Sequence, residues 1–375
     1  MEKNYGMIYL KSTNVHLVKD MGMIPYKLHK NFGYNSTLIT FKNGEYTYQE
    51  DVVKGLKLDF VKNRFNSYTI DGSIYLFKNS RKYDILQMFH VTLSSVCYSY
   101  IYKFMNRKGK LYLKLDCSEK LGERIRGLSK FKRRLLSIFF RKYNIISVEQ
   151  EKIYHELTEL IPSLKDNLIV IPNGVDFKLL EDFDLEYSYK QKENIILNIA
   201  RIGSEEKNTP MLLNAFKKVP DEVKKNWKLR LVGPIEDGFL EEYDRFTNEN
   251  PSLKDKIELV GNIEDRAKLY EEYKRAKIFS LTSEFESFGI AFIEAGVFGD
   301  VIISTDVGIA HEIVKNNNGS LVKIEDEDAL ARGFTEFMAK ESLDKDSIET
   351  YNIIKQKFNW DLIIEKLNSQ LEKLF

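Results

Sequence analysis

The stretch L-T-S-E-F-E-S-F-G-I-A-F-I-E-A-G-V-F-G-D-V-I-I-S-T, residues Leu281–Thr305, contains the order of elements that sets the architecture of this chain. An apolar run ends at Leu281, a polar turn follows, and a helical pattern at about 288–298 leads into a second apolar run, Val301–Thr305. A strand, a helix and a further strand in this order make a βαβ unit, and such units build mostly parallel sheets.

The same alternation of strands and helices runs along the whole chain in two series. In the first half the predicted strands are Met7–Lys11, Ser36–Phe41, Ile85–Phe89, Lys110–Leu115 and Asn144–Val148, with helices at about 24–32 and 93–105. In the second half they are Asn194–Ala200, Trp227–Val232, Ile257–Val260, Lys277–Leu281 and Val301–Thr305, with a further helix at 209–219. Two such series predict an α/β protein whose two Rossmann-like domains face a cleft.

The boundary between the two predicted domains lies where the periodic pattern stops. Residues 177–192 are charged and carry no sustained period, so the predicted domains are 1–176 and 177–356. The stretch 357–375 is predicted to contain an amphipathic helix, because apolar residues recur there at every fourth position: Ile363, Leu367, Leu371 and Phe375.

Composition excludes several classes of protein. The 375 residues are 43% hydrophobic and 30% charged, with 24 Phe and 21 Tyr, which is typical of a folded globular chain and not of a disordered one. Two cysteines cannot build a disulfide framework, and no Cys/His cluster has zinc spacing. No apolar run approaches the ~18 residues of a membrane span. We expect a cytoplasmic protein. A location at the inner face of the cell membrane is compatible with this expectation.

The net charge of +1 conceals two halves of opposite sign. Residues 1–176 hold 29 Lys and Arg against 17 Asp and Glu, a net charge of +12, and the rest of the chain is acidic. Within the basic half, residues 124–142 place eight cations among Leu and Phe residues. This composition predicts peripheral contact with an anionic membrane. The alternative is a helix that packs in the core with its cations in water, and no binding module favours nucleic acid.

The turn before the helix of the opening stretch predicts an anion site. Gly289 permits close approach of a ligand, and the free N–H groups of a first helical turn favour negative charge. Glu286 is predicted to stand just before this helix and Glu294 inside it, eight residues apart, which is about 12 Å at the helical rise. A nucleoside diphosphate sugar fits that spacing, with one carboxylate for the sugar hydroxyls and the other for the ribose. Two ordinary helix carboxylates remain the alternative.

A second candidate loop joins the first strand of the second half to its helix, at 199–210. Ligands bind at the carboxyl end of strands in open α/β sheets. Arg201 and Lys207 place two cations there, where a diphosphate would be held. The alternative is a solvated loop whose cations offset Glu205 and Glu206.

Together these segments resemble the retaining GT-B glycosyltransferases of family 4. The family's E-x7-E element corresponds to Glu286 and Glu294, and its R…K element to Arg201 and Lys207. I-P-N-G-V-D at 171–176 and T-D-V-G-I-A-H-E-I-V at 305–314 are similar to further family motifs. The resemblance is dense from 144 to 375 and thin before that.

The resemblance implies roles for individual residues. Glu294 would bind the ribose, Glu286 the donor sugar, and Arg201 and Lys207 the diphosphate of a UDP- or GDP-sugar. The remaining donor-binding positions that it implies are Ser287, Phe288 and Gly289, together with Gly233, Asn262 and Ile263, which would flank the nucleotide base. It also implies an acceptor-binding first domain onto which the C-terminal helix packs back, and chemistry that requires no metal.

The first half departs from the family pattern at two positions and offers one further candidate. The family's Gly-Gly loop is matched only by Gly22, which would line the site. Asp116 stands where the family often has His, so it would orient or deprotonate a hydroxyl; capping of the next turn is the alternative. His90, at the end of another strand, would face the same crevice or have a structural role.

The sequence therefore predicts a retaining glycosyltransferase that acts on a glycan or lipid-linked acceptor in cell-surface polysaccharide or glycolipid biosynthesis. Two alternatives stay open. A sugar-nucleotide epimerase would use the same nucleotide pocket, and a non-catalytic partner subunit would bind the donor without turning it over.

Overall fold

The computed structural model describes residues 3–117 and 120–375. These residues form two compact units. Unit 1 contains Met1–Gly174 and Trp360–Phe375, and unit 2 contains Val175–Asn359. The first boundary lies two residues before the position expected from the sequence.

Unit 1 is built on a seven-stranded sheet in which every neighbouring pair is parallel. Its order is β3-β2-β1-β4-β5-β6-β7. The strands are β1 (Asn4–Ile8), β2 (Asn35–Thr40), β3 (Lys57–Phe60), β4 (Ile85–Phe89), β5 (Lys110–Lys114), β6 (Ile145–Val148) and β7 (Leu168–Val170).

Helices cover both faces of this sheet. They are α1 (Asp20–Phe32), α2 (Tyr48–Asp51), α3 (Tyr68–Asn79), α4 (Leu93–Met105), α5 (Lys120–Arg126), α6 (Lys130–Phe140), α7 (Glu151–Leu160) and, from the end of the chain, α17 (Trp360–Glu372). One apolar core joins the sheet to α1 and α17, and another joins it to α3, α4, α6 and α7. In α17, Ile363, Leu367 and Leu371 are buried as the four-residue spacing predicts, but Phe375 lies beyond the helix and is exposed.

Unit 2 repeats the plan with a six-stranded parallel sheet of order β10-β9-β8-β11-β12-β13. The strands are β8 (Glu193–Ile199), β9 (Lys228–Val232), β10 (Ile257–Gly261), β11 (Ala276–Phe279), β12 (Val301–Thr305) and β13 (Ser320–Val322). The α/β class with two parallel-sheet, Rossmann-like domains is confirmed.

The helices of unit 2 again lie on both faces of the sheet, over two apolar cores. They are α8 (Phe177–Asp182), α9 (Thr209–Lys218), α10 (Asp221–Lys224), α11 (Phe239–Glu249), α12 (Arg266–Arg275), α13 (Ile290–Val297), α14 (Ala310–Ile313), α15 (Glu327–Met338) and α16 (Asp344–Lys357). The segment 177–192, expected to be an aperiodic connection, contains α8, whose Leu180 is buried in the core.

Each sheet reverses its strand order at one point. In unit 1 this point lies between β1 and β4, and in unit 2 it lies between β8 and β11. Chain connections leave such neighbouring strands toward opposite sides, which opens a crevice at the carboxyl ends of the strands. Of the site residues predicted from the sequence, His90 follows β4, Lys207 follows β8 and Glu286 follows β11.

Candidate functional site

The two loops predicted to bind a donor are tied together at the carboxyl edge of unit 2. One loop follows β8 and the other follows β11. Thr282 Oγ1 donates to the carbonyl oxygens of Lys207 and Asn208, both at 2.9 Å, and the Glu284 N–H donates to the Glu206 carbonyl at 2.9 Å. The chain segments that carry Lys207 and Glu286 are therefore fixed against each other by hydrogen bonds to backbone carbonyls.

Lys207 and Glu286 form the centre of this site. Lys207 Nζ lies 2.6 Å from Glu286 Oε1, and Ser283 Oγ donates to the same oxygen at 2.8 Å. Both charged side chains are partly exposed, at 20% and 15%. The predicted cation and the predicted sugar-binding carboxylate are thus brought together, at the strand-order reversal of the sheet.

Gly289 stands at the start of α13 with φ of 87°, a left-handed conformation that favours glycine. The helix begins at Ile290, two residues later than expected, and Glu286 lies before it and Glu294 inside it, as predicted. The 12 Å spacing assumed a continuous helix and does not apply. Ser287 is exposed, whereas the Phe288 side chain is buried against Phe358. Because its side chain is buried, Phe288 can contact a ligand only through its backbone.

Glu294 has a set of partners of its own, which the sequence analysis missed. Its Oε1 accepts from Arg266 Nη2 at 2.5 Å, and its Oε2 accepts from the Tyr273 hydroxyl at 3.1 Å. Burial lowers the pKa of Arg266, but Tyr270 and Glu294 outweigh it and raise that pKa above its usual range. Arg266, Tyr270 and Tyr273 share one face of α12, and this four- and three-residue spacing was the available signal.

Arg201 is exposed over 56% of its side chain and forms ion pairs with one acid of its own loop and one of the loop after β9. One partner is Glu206, and the other is Glu236, whose Oε1 lies 3.7 Å from Arg201 Nη1. The pairing with Glu206 agrees with the alternative interpretation of this loop, in which its cations offset Glu205 and Glu206. The role of Arg201 toward a diphosphate stays a prediction.

The positions expected to flank a nucleotide base follow β9 and β10. Gly233 has φ of 138°, and a Cβ there would lie 1.8 Å from the Ala200 carbonyl oxygen. The close approach of the backbone at Ala200 therefore requires a glycine at position 233, whether or not this position contacts a ligand. Asn262 is exposed and Ile263 is partly buried against the core.

In unit 1, His90 and Asp116 both lie at the carboxyl edge, after the neighbouring strands β4 and β5. The His90 N–H donates to the Lys114 carbonyl at 3.0 Å, and His90 has φ of 54°, which is uncommon for a residue with a Cβ. Gly22 was expected to line this site. It is buried in α1, where a Cβ would lie 2.1 Å from the Leu17 carbonyl oxygen, so close packing explains it.

A buried ion cluster beneath this edge escaped the sequence analysis; we call it the Lys114 cluster. Lys114 Nζ lies 2.8 Å from Glu149 Oε1 and 3.5 Å from Asp20 Oδ2, and Asn173 Nδ2 donates to Glu149 Oε1 at 2.8 Å. Burial raises the pKa of Glu149 to about 8; Lys114 opposes the shift, and Asp116 adds to it. A lysine inside the apolar run of β5 was the available signal.

The basic stretch 124–142 is not one continuous helix. It contains the end of α5 and all of α6, and the Arg133 guanidinium bridges the break by donating to the Arg126 and Leu128 carbonyls. Phe139 and Phe140 pack in the core, as the alternative to membrane contact requires. Phe131, Leu135 and Ile138 lie on another face of α6 and are exposed.

Across residues 3–117 and 120–375, no helix is long and apolar enough to cross a membrane. Within the same ranges, no three His, Cys, Asp or Glu side chains are grouped so that they could hold a metal ion.

Similarity to characterised proteins extends over much of the chain. A probable sucrose-phosphate synthase of Thermosipho melanesiensis is 28% identical over 241 residues, which cover 62% of this chain and 55% of that protein. The amylovoran biosynthesis glycosyltransferase AmsD of Erwinia amylovora is 23% identical, with 92% of each chain covered. The chain spans about half the length of the first curated relatives that it matches.

The fold is shared with solved structures. Anabaena Alr3699/HepE, crystallised in complex with UDP, superposes with a TM-score of 0.75 at 16% identity, and the whole of both chains is covered. The sequence profile of the family described as glycosyl transferases, group 1, matches residues 181–369, half of the chain. This chain belongs to the glycosyl transferases group 1 family.

Proposed function

We propose that this protein is a retaining glycosyltransferase that moves a sugar from a nucleoside diphosphate sugar to an acceptor hydroxyl. The observation that carries the proposal is the Lys207–Glu286 pair, held by two tied loops at the strand-order reversal of unit 2. In a nucleoside diphosphate sugar, the diphosphate and the sugar meet at the bond that breaks. A cation beside a carboxylate can therefore contact both groups, the cation the diphosphate and the carboxylate the sugar hydroxyls.

Lys207 and Arg201 would act on the leaving diphosphate. Negative charge grows on the phosphate oxygens as the glycosidic bond breaks, and fixed cations stabilise that charge more than they stabilise the intact donor. The N–H groups before and within the first turn of α13, from Ser287 to Ile290, would add to this effect. The acceptor hydroxyl would attack from the face that the diphosphate leaves and would pass its proton to the leaving phosphate oxygen, so the configuration of the anomeric carbon is preserved.

Glu286 and Glu294 would divide the recognition of the donor. Glu286 exchanges its contact with Lys207 for hydroxyls of the sugar, while Lys207 turns to the diphosphate. Glu294 is kept in one orientation by Arg266 and Tyr273, and each of its oxygens retains acceptor capacity for a ribose hydroxyl. A carboxylate with a fixed orientation loses little entropy when it binds.

The exposed face of α6 supports an acceptor located at a membrane. Phe131, Leu135 and Ile138 recur at four- and three-residue spacing and face outward, Phe131 with 70% of its surface exposed. The exposed cations of the same helix include Lys130, Lys132 and Arg134. Apolar side chains flanked by cations favour the interface of an anionic bilayer. A lipid-linked precursor of a cell-surface glycan is the acceptor class that fits.

The donor is tested by thermal unfolding of the full chain with UDP-glucose, UDP-galactose, UDP-N-acetylglucosamine or GDP-mannose. Binding to the folded state raises the unfolding temperature by mass action, so we expect a rise with the true donor and slow release of its sugar. Glu286→Gln should remove turnover. Glu327→Gln is the control, because Glu327 pairs with Lys218 at another position in unit 2.

The products separate the alternatives. Transfer or hydrolysis with retained anomeric configuration supports the proposal, and inverted product contradicts the retaining mechanism. Epimerised donor indicates an epimerase, whereas binding without any turnover indicates a partner subunit. Membrane contact is tested by flotation with phosphatidylglycerol vesicles, where Phe131→Ser/Leu135→Ser should lose binding and Leu240→Ser, on α11, should keep it.

A further inference from the structure

A cavity of about 470 Å³ opens at the amino edge of the sheet in unit 1. Its lining includes side chains from β1, β2 and β3 and one that precedes β4: Asn4, Asn35, Thr37, Lys57, Asp59 and Lys82. β3 is the last strand of the sheet on this side. The donor and acceptor positions considered above lie beyond the carboxyl ends of strands. The cavity is at the opposite edge, and none of those roles assigns it.

A directed series of hydrogen bonds fixes the ammonium group of Lys57 at this cavity. The Asp84 carboxylate can only accept, and Asn4 Nδ2 donates to its Oδ2 at 3.2 Å. Asn4 Oδ1 accepts from Asn35 Nδ2 at 2.8 Å, and Asn35 Oδ1 accepts from Lys57 Nζ at 2.6 Å. Each amide therefore has one orientation that satisfies both neighbours. Lys57 is held in place by a neutral group and keeps two N–H groups for a ligand.

A second series of hydrogen bonds ends at the cavity in an acceptor. The Tyr75 hydroxyl donates to Asp59 Oδ2, and it lies 2.6 Å from the Tyr83 hydroxyl. Because the proton of Tyr75 is used on Asp59, Tyr83 is the donor between the two tyrosines. The Asp59 carboxylate is thus held through one oxygen, and its Oδ1 can accept from the hydroxyl groups of a ligand.

The charge at the cavity favours an anion. Lys57 and Lys82 both line it with exposed side chains. In the part of the chain that the structure describes, no carboxylate pairs with either lysine, and the one polar partner of Lys57 is the Asn35 amide. Lysine binds phosphate as a point charge, so two unpaired ammonium groups suit a phosphate group.

We propose that this cavity binds a phosphorylated polyol, such as a sugar phosphate or a glycerol phosphate. The phosphate would contact Lys57 and Lys82. The hydroxyls of the polyol would donate to Asp59, and the Thr37 hydroxyl, which can donate or accept, would contact another of them. A volume of about 470 Å³ is within the range of small-molecule sites. The inference goes beyond the proposed function and does not depend on it.

The site is tested by acetylating the lysines of the full chain and measuring the modification of each by mass spectrometry. The probes are glycerol 3-phosphate and glucose 6-phosphate, and inorganic phosphate and glycerol are their controls. We expect both probes to protect Lys57 and Lys82, while Lys54, exposed in the turn before β3, stays reactive. Lys207 is measured in the same digest and reports any phosphate bound at the donor site. Unchanged reactivity of Lys57 and Lys82 overturns the site, and equal protection by inorganic phosphate overturns the polyol.

Variants then assign the contacts by calorimetric titration with glucose 6-phosphate. Lys57→Met should weaken binding about tenfold, because a hydrogen bond from a charged group is lost, and Lys54→Met is the matched control. Asp59→Asn keeps an acceptor for the Tyr75 hydroxyl but removes the carboxylate, so it should weaken binding as well. Equal behaviour of the two lysine variants overturns the phosphate contact. An Asp59→Asn protein that binds glucose 6-phosphate as well as the native chain overturns the hydroxyl contact.

Discussion

The two units place their charges differently at the same edge of their sheets. At the carboxyl edge of unit 1, Lys114 and Glu149 have no exposed side-chain surface. At the carboxyl edge of unit 2, the Lys207–Glu286 pair is partly exposed and Arg201 is mostly exposed. A buried ion must keep its partner, because without the partner its charge is neither neutralised nor hydrated, which costs several kcal/mol of stability. An exposed ion can exchange its partner for a ligand at little cost.

Unit 2 also has a buried ion pair, but at the opposite edge of its sheet. Lys192 immediately precedes β8 and Asp300 immediately precedes β12, and their Nζ and Oδ1 atoms lie 2.5 Å apart. Burial raises the pKa of Asp300 to about 7, against the opposing effect of Lys192. Unit 2 thus separates a buried pair at the amino edge from exchangeable pairs at the carboxyl edge.

The largest expected effect comes from breaking a buried cluster. At pH 9, above the pKa of about 8 at which Glu149 loses its proton, Lys114→Met leaves Glu149 and Asp20 buried without their cation, and we expect unit 1 to lose about 3–5 kcal/mol of stability. Hydrogen exchange followed by mass spectrometry resolves the two units separately, so peptides of unit 1 should lose protection. Lys192→Met should produce the same loss in peptides of unit 2.

The double variant Lys114→Met/Glu149→Gln is the control for this experiment. It removes one of the uncompensated carboxylates, so part of the lost protection should return. If Lys114→Met left unit 1 as protected as before, the Lys114 cluster would not be the fixed element that distinguishes the two edges.

The next effect is on turnover. Lys207→Met should lower the rate of sugar release by about 10²–10³-fold, because a fixed cation at the leaving group is removed. The stability of unit 2 should change by no more than about 1 kcal/mol, the usual value of a partly exposed pair. Donor hydrolysis and hydrogen exchange measure the two quantities. Lys218→Met, which breaks an exposed pair of α9, should change neither by a comparable amount.

The same contrast explains which parts of the fold could be predicted from the sequence. Central strands such as Ile85–Phe89 and Val301–Thr305 begin and end where the apolar runs do, because both of their faces are buried. The three strands that were missed, β3, β7 and β13, are all edge strands. β3 carries two charged residues among its four and is half-exposed, and β7 and β13 are only three residues long, so none of them presents a run long enough to be recognised as a strand.

For the candidate site, the sequence located loops better than partners. Lys207 and Glu286 were placed in two loops that do meet, since strand ends of one sheet share an edge. The contacts of Glu294 with Arg266 and Tyr273 depend on how α12 packs against α13, which no local pattern specifies. The Lys114 cluster joins residues more than 150 positions apart in the chain, from Asp20 to Asn173, and only the tertiary fold brings them together.

A third prediction uses pH to sharpen the comparison at unit 1. Glu149 has a pKa of about 8 in the folded chain against 4.5 for an ordinary glutamate, so the folded state binds the extra proton between these values. Its contribution to stability is therefore full at low pH and is lost as the pH rises through that window. Burial raises the pKa of Asp20 as well, and the lowered pKa of His16 acts in the opposite direction.

Glu149→Gln isolates the effect of Glu149 from those other groups. Protection factors of unit 1 peptides, which correct for the intrinsic dependence of exchange on pH, should fall between pH 5 and 8 in the native chain and fall less in the variant. Parallel curves for the two proteins would show that Glu149 does not titrate in this window.

The smallest expected effect tests whether exposed pairs at the carboxyl edge of unit 2 do exchange partners. Glu206 competes with a diphosphate for Arg201, so Glu206→Gln should free that guanidinium and tighten UDP binding about two- to fivefold, as expected of a surface pair worth 0.3–1 kcal/mol. The gain should shrink as salt rises from 20 to about 300 mM, because exposed charges are screened. Calorimetric titration with UDP measures both quantities.

Glu241→Gln, which neutralises an exposed carboxylate on α11 of the same unit, controls for the general change in net charge. Weaker binding in Glu206→Gln would mean that Glu206 positions Arg201 for the ligand and does not compete with it, and the two edges would then differ less than their exposure suggests.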